Sequence, residues 1–331
     1  MARQNLTNKS KRKRISSNTN KKGITIKQAY DLFRIAQKEK GNSIPTIKFY
    51  DRAYKKLSLI TNNGDSPLSV IAEIGFQERF VISLGNVNQQ TVNAYLRGYR
   101  AFGNYCKENN YIPSFSCPIK EIEPPVKNVY TTTELKRLIK KPSIENFVEF
   151  RSYVIILLLL STGARSNTIL NIRISDVDLE EGYINYNTTK ANKVVRIGLS
   201  KKTKRDLAEY IKYWRTGNGT DQNDYLFCSV YGEQLSRCTL CTSIAKYNKN
   251  RGVEKTSLHL FRHTFAKNWI TSGGDLISLA KVLTHSELEM VKRYANLYGS
   301  DIKQEIEEHS TLSQIKTHSG ETIISRKRKR L

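Results

Sequence analysis

A chain of 331 residues is long enough for two domains, each burying its own core. A formal charge of +25 and a pI near 9.8 point to a polyanionic partner, nucleic acid or an anionic membrane surface. A membrane-spanning helix is excluded, because the longest apolar run, Val154 to Leu160, has seven residues against the roughly 20 a bilayer requires. The basic N-terminus is not followed by the apolar stretch of a secretory signal. Five cysteines, odd in number and mostly scattered, suit a reducing intracellular compartment. Cys238-x-x-Cys241 has no second pair and no nearby histidine to complete a zinc set, so it reads as two thiols on a helix, with no metal.

Residues 1–23 carry eight basic side chains, no acid and no hydrophobic period, the pattern of a flexible basic arm. From residue 24 to 112 the period is helical. Thr25-x-x-Gln28 is a capping box ahead of Tyr30, Phe33 and Ala36. A second helix follows Pro45 with Ile47, Tyr50, Tyr54 and Leu57 on one face, and residues 68–84 read as less regular helix. Val92, Tyr95, Leu96, Tyr99, Phe102 and Cys106 form the clearest stripe, giving a helical first domain of about four helices. Residues 113–130 hold four of the seven prolines and mark the interdomain linker.

The second domain, 131–300, opens on a capping box, Thr131-x-x-Glu134. An apolar helix from Phe147 to Leu160 supplies its central element and stops at Ser161-Thr-Gly163-Ala-Arg165, where glycine lets the backbone turn. The period then shifts to that of strands: Gly182 to Asn187 and Lys193 to Gly198 flank a polar tip containing Lys190, the pattern of a hairpin. Leu207, Tyr210, Ile211 and Trp214 mark another helix, Tyr225 to Cys228 a short extended piece, and residues 233–249 a further helix. The fold class is therefore mainly α with a small β-sheet.

Cutting a phosphodiester without a metal requires cations on the non-bridging oxygens, an in-line nucleophile and an acid for the leaving oxygen. Arginine suits the first task, since its planar fork pairs two oxygens and stays charged. No carboxylate cluster in this chain looks built to hold magnesium. Arg165 follows the glycine turn, and Arg262 lies one helical turn after His259 on the same face. Ser286-x-x-Glu289 is a capping box that puts His285 just before a helix and Tyr294 about two turns inside it.

The order Arg165, Lys190, His259-x-x-Arg262, His285, Tyr294 resembles the tyrosine recombinase, or phage integrase, family. The motifs are Thr162-Gly163-Ala164-Arg165, the run from Leu258 to Ala266, and Thr284-His285 with Tyr294 nine residues on. The resemblance covers residues 131 to 300, and the preceding helical domain is similar to that family's core-binding domain, the two closing on DNA as a C-shaped clamp. It implies that Arg165 and Arg262 clamp the scissile phosphate, with His259 and His285 donating hydrogen bonds to it. Lys190 would protonate the departing 5′ oxygen, although Lys193 competes for that role. Tyr294 would attack to form a 3′-phosphotyrosine ester, with Tyr298 one turn later as its competitor. Because the ester keeps the bond energy, no ATP and no other cofactor is implied.

Two positions depart from the family pattern: Thr168 stands where an acidic residue is usual, and Thr284 where glycine is common. The resemblance implies duplex recombination sites as partners, a homotetramer on two sites with a Holliday junction between them, accessory DNA-bending or directionality factors, no membrane, and a place in the bacterial cytoplasm with the nucleoid. The basic arm and the extended tail, residues 301–331, favour the integrase or transposase of a mobile element over a Xer-like resolvase of chromosome dimers. That tail would include a helix docking in its own subunit or on a neighbouring one, and a basic end at Arg326 to Arg330. A type IB topoisomerase and a non-catalytic DNA-binding regulator are the rivals from other classes.

Overall fold

The structure is a computed structural model that describes residues 23–122, 128–188, 193–216 and 221–283. The arm before Gly23, Lys190 at the hairpin tip, Thr284, His285, the Ser286-x-x-Glu289 cap, Tyr294 and the whole tail lie outside the described residues. The chain divides into two compact units, Met1–Pro125 and Val126–Leu331.

In the first unit the sequence signals for the starts of the first two helices are realised, one as a side-chain cap and one as a first-turn proline. Thr25 and Gln28 form a reciprocal capping box ahead of α1 (Ile26–Glu39), and Pro45 sits in the first turn of α2 (Ile44–Ser58), where its missing N–H is not needed. The stretch expected as one irregular helix over 68–84 is two pieces, a 3-10 turn at Leu68–Ala72 and α3 (Phe76–Ser83). Gly75, with φ of +79°, is the N-cap that separates them. The stripe on α4 (Gln89–Glu108) packs against α1 and α2. Tyr30, Phe33 and Phe102 meet there at ring-centroid separations of 5.5 to 5.7 Å, a contact range that favours aromatic pairs.

Prolines end helices, but an extended segment can still bury side chains. Ile112, Phe115 and Cys117, at the start of the proline-rich stretch, lie in the core of the first unit. Tyr130, at its end, lies in the core of the second. The stretch is thus narrower as a connector than its prolines suggest.

The second unit is organised around α6 (Phe147–Thr162), in which every residue from Phe150 to Leu159 is buried. A helix apolar on all sides must be covered on all sides. α8 (Lys201–Trp214), α9 (Arg237–Lys249) and α10 (Leu258–Thr271) pack around it. α9 starts later than the expected residue 233, at the Ser236 cap, because Gln234 bridges back to Cys228. Tyr225 to Cys228 makes isolated bridges rather than a strand. The other elements are α5 (Thr132–Leu138), α7 (Ser166–Asn171), α11 (Leu276–Val282) and a three-stranded antiparallel sheet. That sheet orders β1 (Val177–Asp178), β2 (Tyr183–Thr188) and β3 (Lys193–Gly198), with Thr188 opposite Lys193 at the hairpin end. Ile184 and Tyr186 point inward and Tyr183 outward, the two-residue period of a half-buried strand.

Two buried polar groups fasten this core. Asp206 on α8 accepts from the Tyr153 hydroxyl at 2.6 Å, Arg205 at 2.9 Å and Lys202 at 3.2 Å. Burial alone would raise its carboxyl, but these bonds outweigh burial and hold it below the usual carboxylate value. On α6 the Arg151 guanidinium donates to the Cys228 carbonyl and covers the Phe147 ring at 5.0 Å. A lowered carboxyl stabilises the fold at pH values above its unfolded value, about 3.9, and that contribution is lost as pH falls through the folded value. Asp206→Asn is therefore expected to melt below the parent at pH 7, with the gap closing under about pH 4. Thermal melts across that range check this, and a gap independent of pH would contradict it.

Candidate active site

The site's geometry starts from the end of α6. Gly163 caps the helix in the left-handed region, φ +62°, and its N–H donates to the Leu159 carbonyl. Two residues later Arg165 is the extended N-cap of α7. The turn between is held by one hydroxyl. Thr162 Oγ1 donates to the Leu158 carbonyl at 2.7 Å and accepts from Ala164 N–H at 3.3 Å. It also accepts from the Tyr186 hydroxyl at 2.9 Å. Tyr186 is buried, which raises its phenol, so it stays a neutral donor. This bond ties β2, and with it the paired β3, to the turn that carries Arg165.

α10 supplies the second part. Its first residues are Leu258, which is buried, and His259, which is exposed; Phe261 is fully buried and stacks on Tyr130 with centroids 4.5 Å apart. Arg262 is 8 % exposed and donates through Nη1 to the Gly163 carbonyl at 2.6 Å and through Nη2 to the Leu283 carbonyl at 2.7 Å. Those two carbonyls are the backbone next to the Arg165 turn on one side and next to Thr284-His285 on the other. Thr264, also buried, accepts from the Tyr130 N–H at 3.1 Å and donates to the Leu260 carbonyl at 2.7 Å.

Arg262 and the Arg165 turn are therefore adjacent through Gly163. His259 and Ser166, the first residue of α7, line one surface cavity. Lys190, His285 and Tyr294 are outside the described residues. Thr168, on α7, is partly buried. Sequence reasoning missed the Tyr186–Thr162 bond and the Leu283 carbonyl as an arginine acceptor. The strand period places Tyr186 inward, but no pattern names its partner. Cys238 and Cys241 lie exposed on α9, and among the described residues no group of three or more metal-ligating side chains is found. Among the same residues no helix is long and apolar enough to cross a membrane.

This arrangement, a mostly helical unit with an arginine-bearing turn docked on a His-x-x-Arg helix, defines the class. Residues 128–300, just over half of the chain, match the family model described as the phage integrase family, and the chain belongs to that family of tyrosine recombinases. Family members are site-specific DNA recombinases. The chain is 28% identical to tyrosine recombinase XerD of Staphylococcus haemolyticus (strain JCSC1435) over 293 residues, 85% of this chain and 96% of the relative. It is 25% identical to tyrosine recombinase XerC of Thermodesulfovibrio yellowstonii over 278 residues, 81% of this chain and 90% of the relative. The fold is shared with XerH site-specific recombinase bound to a palindromic difH substrate. That match has a TM-score of 0.65 and 22% identity, covering 87% of this chain and 85% of that one. It is shared also with the Tn1549 transposon integrase in complex with a circular intermediate DNA, at TM-score 0.67 and 17% identity, covering 86% of this chain and 99% of that one.

Two substitutions probe the site's construction. A Cβ on Gly163 would stand 2.5 Å from Phe265 Cδ1 and 2.9 Å from Leu283 Cδ2, in a backbone conformation that disfavours it. Gly163→Ala should cost roughly 2–5 kcal/mol, from left-handed strain and overpacking together, read as a lower Tm. Arg262→Lys keeps the charge but has one nitrogen where two are used. It should leave a buried carbonyl unpaired at a cost of about 1–3 kcal/mol; an unchanged Tm would contradict the bridging role.

Proposed function

We propose that the chain is a site-specific recombinase that cleaves and rejoins duplex DNA through a tyrosine ester. The observation that carries this reading is the Arg262 bridge, whose two carbonyls flank the Arg165 turn and the approach to Thr284-His285. Arg165 and Arg262 would offset the negative charge building on the scissile phosphate, a term worth about 10²–10³ in rate for a single donor in a preorganised site. A guanidinium carries five N–H donors, so two backbone carbonyls do not exhaust its fork. His259 and His285 would donate to the phosphate oxygens, and His259 would help move the tyrosine proton.

In the cleavage step the Tyr294 oxygen bonds to phosphorus as the bond to the 5′ oxygen breaks. Lys190 gives that oxygen its proton, leaving a 5′ hydroxyl and a 3′-phosphotyrosine ester. Attack by a 5′ hydroxyl from another strand reverses the step with no energy input. Two sites on a homotetramer, exchanging strands through a Holliday junction, would complete recombination. Lysine and arginine on the DNA backbone would make binding strongly salt-dependent.

The basic arm and tail favour a mobile-element integrase or transposase as the biological role. A Xer-like resolvase is the second reading, supported by a match that spans 96% of the XerD relative. A nicked suicide duplex that releases its short 5′ fragment should trap a covalent protein–DNA adduct. Tyr294→Phe should abolish the adduct, Tyr298→Phe should keep it, and Arg165→Ala should lower its rate about 10²-fold or more. Adduct persisting in Tyr294→Phe overturns the nucleophile, and none in the parent on its mapped site overturns the chemistry.

A further inference from the structure

Tyr186 stands where packing alone has no use for a hydroxyl. It is 3 % exposed and belongs to the core that also holds Ile184, Ile197 and Leu158. A phenylalanine would fill that space without the cost of burying a polar group. What the hydroxyl adds is its bond to Thr162, and the direction of that bond is fixed. A threonine hydroxyl has one proton and two lone pairs. The Leu158 carbonyl, which can only accept, takes the proton of Thr162. Both lone pairs then receive donors, the Ala164 N–H and the Tyr186 O–H. The Ala164 contact is the longest of the three, at 3.3 Å against 2.7 and 2.9 Å, so it holds the backbone weakly by itself.

The Ala164 N–H and the Gly163 carbonyl are two ends of one peptide unit, a rigid plane. Arg262 Nη1 grips its carbonyl at 2.6 Å, and Thr162, steadied by Tyr186, grips its N–H. The residue after that plane is Arg165, the extended N-cap of α7. One peptide therefore joins the two arginines, touching Arg262 directly and setting the direction in which the chain leaves for Arg165. We propose that Tyr186 is a positioning residue for DNA cleavage: acting through Thr162, its hydroxyl sets the tilt of the Gly163–Ala164 peptide and so the placement of Arg165 relative to Arg262 on the scissile phosphate. Removing the hydroxyl frees one edge of the plane while leaving the aromatic ring in the core. The cost falls on the step in which charge builds on the phosphate, where donors must already be in place, and not on the grip of the chain on DNA. This proposal rests on the recombinase reading above.

The test compares the full-length parent with Tyr186→Phe, Thr162→Val and the two changes combined, well below the Tm of each. It reads Kd for the nicked suicide duplex and the single-turnover rate of adduct formation on that duplex at saturation. Tyr186→Phe should form adduct about tenfold or more slowly at unchanged Kd. The combined variant should be no slower than Thr162→Val, since the second change finds its bond already broken. A duplex with a methylphosphonate at the scissile position has no phosphate charge for the arginines to meet, so on it Tyr186→Phe and the parent should react at equal rates. A merely structural defect would slow both substrates alike. Parent-like adduct formation by Tyr186→Phe, a weakened Kd that accounts for its slowing, a further loss in the combined variant, or equal slowing on the methylphosphonate would each overturn the proposal. No adduct from the parent sinks the recombinase reading and this role together, whereas normal adduct from the parent and from Tyr186→Phe removes the positioning role alone.

Discussion

The second unit turns on one guanidinium. Arg262 is buried on α10, and each of its terminal nitrogens donates to a backbone carbonyl of another segment, Gly163 and Leu283. Buried carbonyls must be paired, and the last carbonyls of a helix have no partner within it. The arginine serves this structural need at the end of α6 and at the end of α11 together. Lysine could not, because a single ammonium lacks the two-pronged geometry. The same side chain is the candidate phosphate ligand, so the group that would meet DNA is also one that holds the scaffold in register.

That arrangement depends on close packing as much as on hydrogen bonds. Phe265 and Leu283 reach the space over Gly163, leaving no room for a methyl group. The turn cannot drift while these side chains are in place, and the Tyr186 hydroxyl fixes it from the sheet side. Arg165 is thus carried on a short piece of backbone restrained from three directions, which limits the reorganisation needed when a charged substrate arrives.

Much of this is legible in the residues themselves. The capping boxes at Thr25 and Thr131, the glycine stop after α6 and the hairpin all rest on local chemistry, which sequence records directly. The break at Gly75 leaves no trace in the pattern, because the apolar spacing continues across it. Burial of Phe115 was hidden because prolines announce the end of a helix and say nothing about where the next side chains go. Its ring lies against Gly103 on α4, an absence of side chain that has meaning only in three dimensions. At the candidate site the residue types and their order were readable, whereas the acceptors of Arg262 are backbone atoms, and a main-chain carbonyl leaves no mark on a sequence.

The attachment of Tyr130 has a practical consequence for anyone dissecting the chain. Its backbone N–H is fixed to Thr264, its ring stacks on Phe261, and its hydroxyl meets Asn248 and the Lys255 carbonyl. Lys255 in turn reaches the Val129 carbonyl and the Glu134 carboxylate. A fragment begun at the Thr131 capping box, the natural place to cut by sequence, would strip a wall from the helix that carries His259 and Arg262. Val129 and Tyr130 therefore belong to any fragment of the second unit meant to stand alone, and a boundary chosen by helix signals would fall on the wrong side of them.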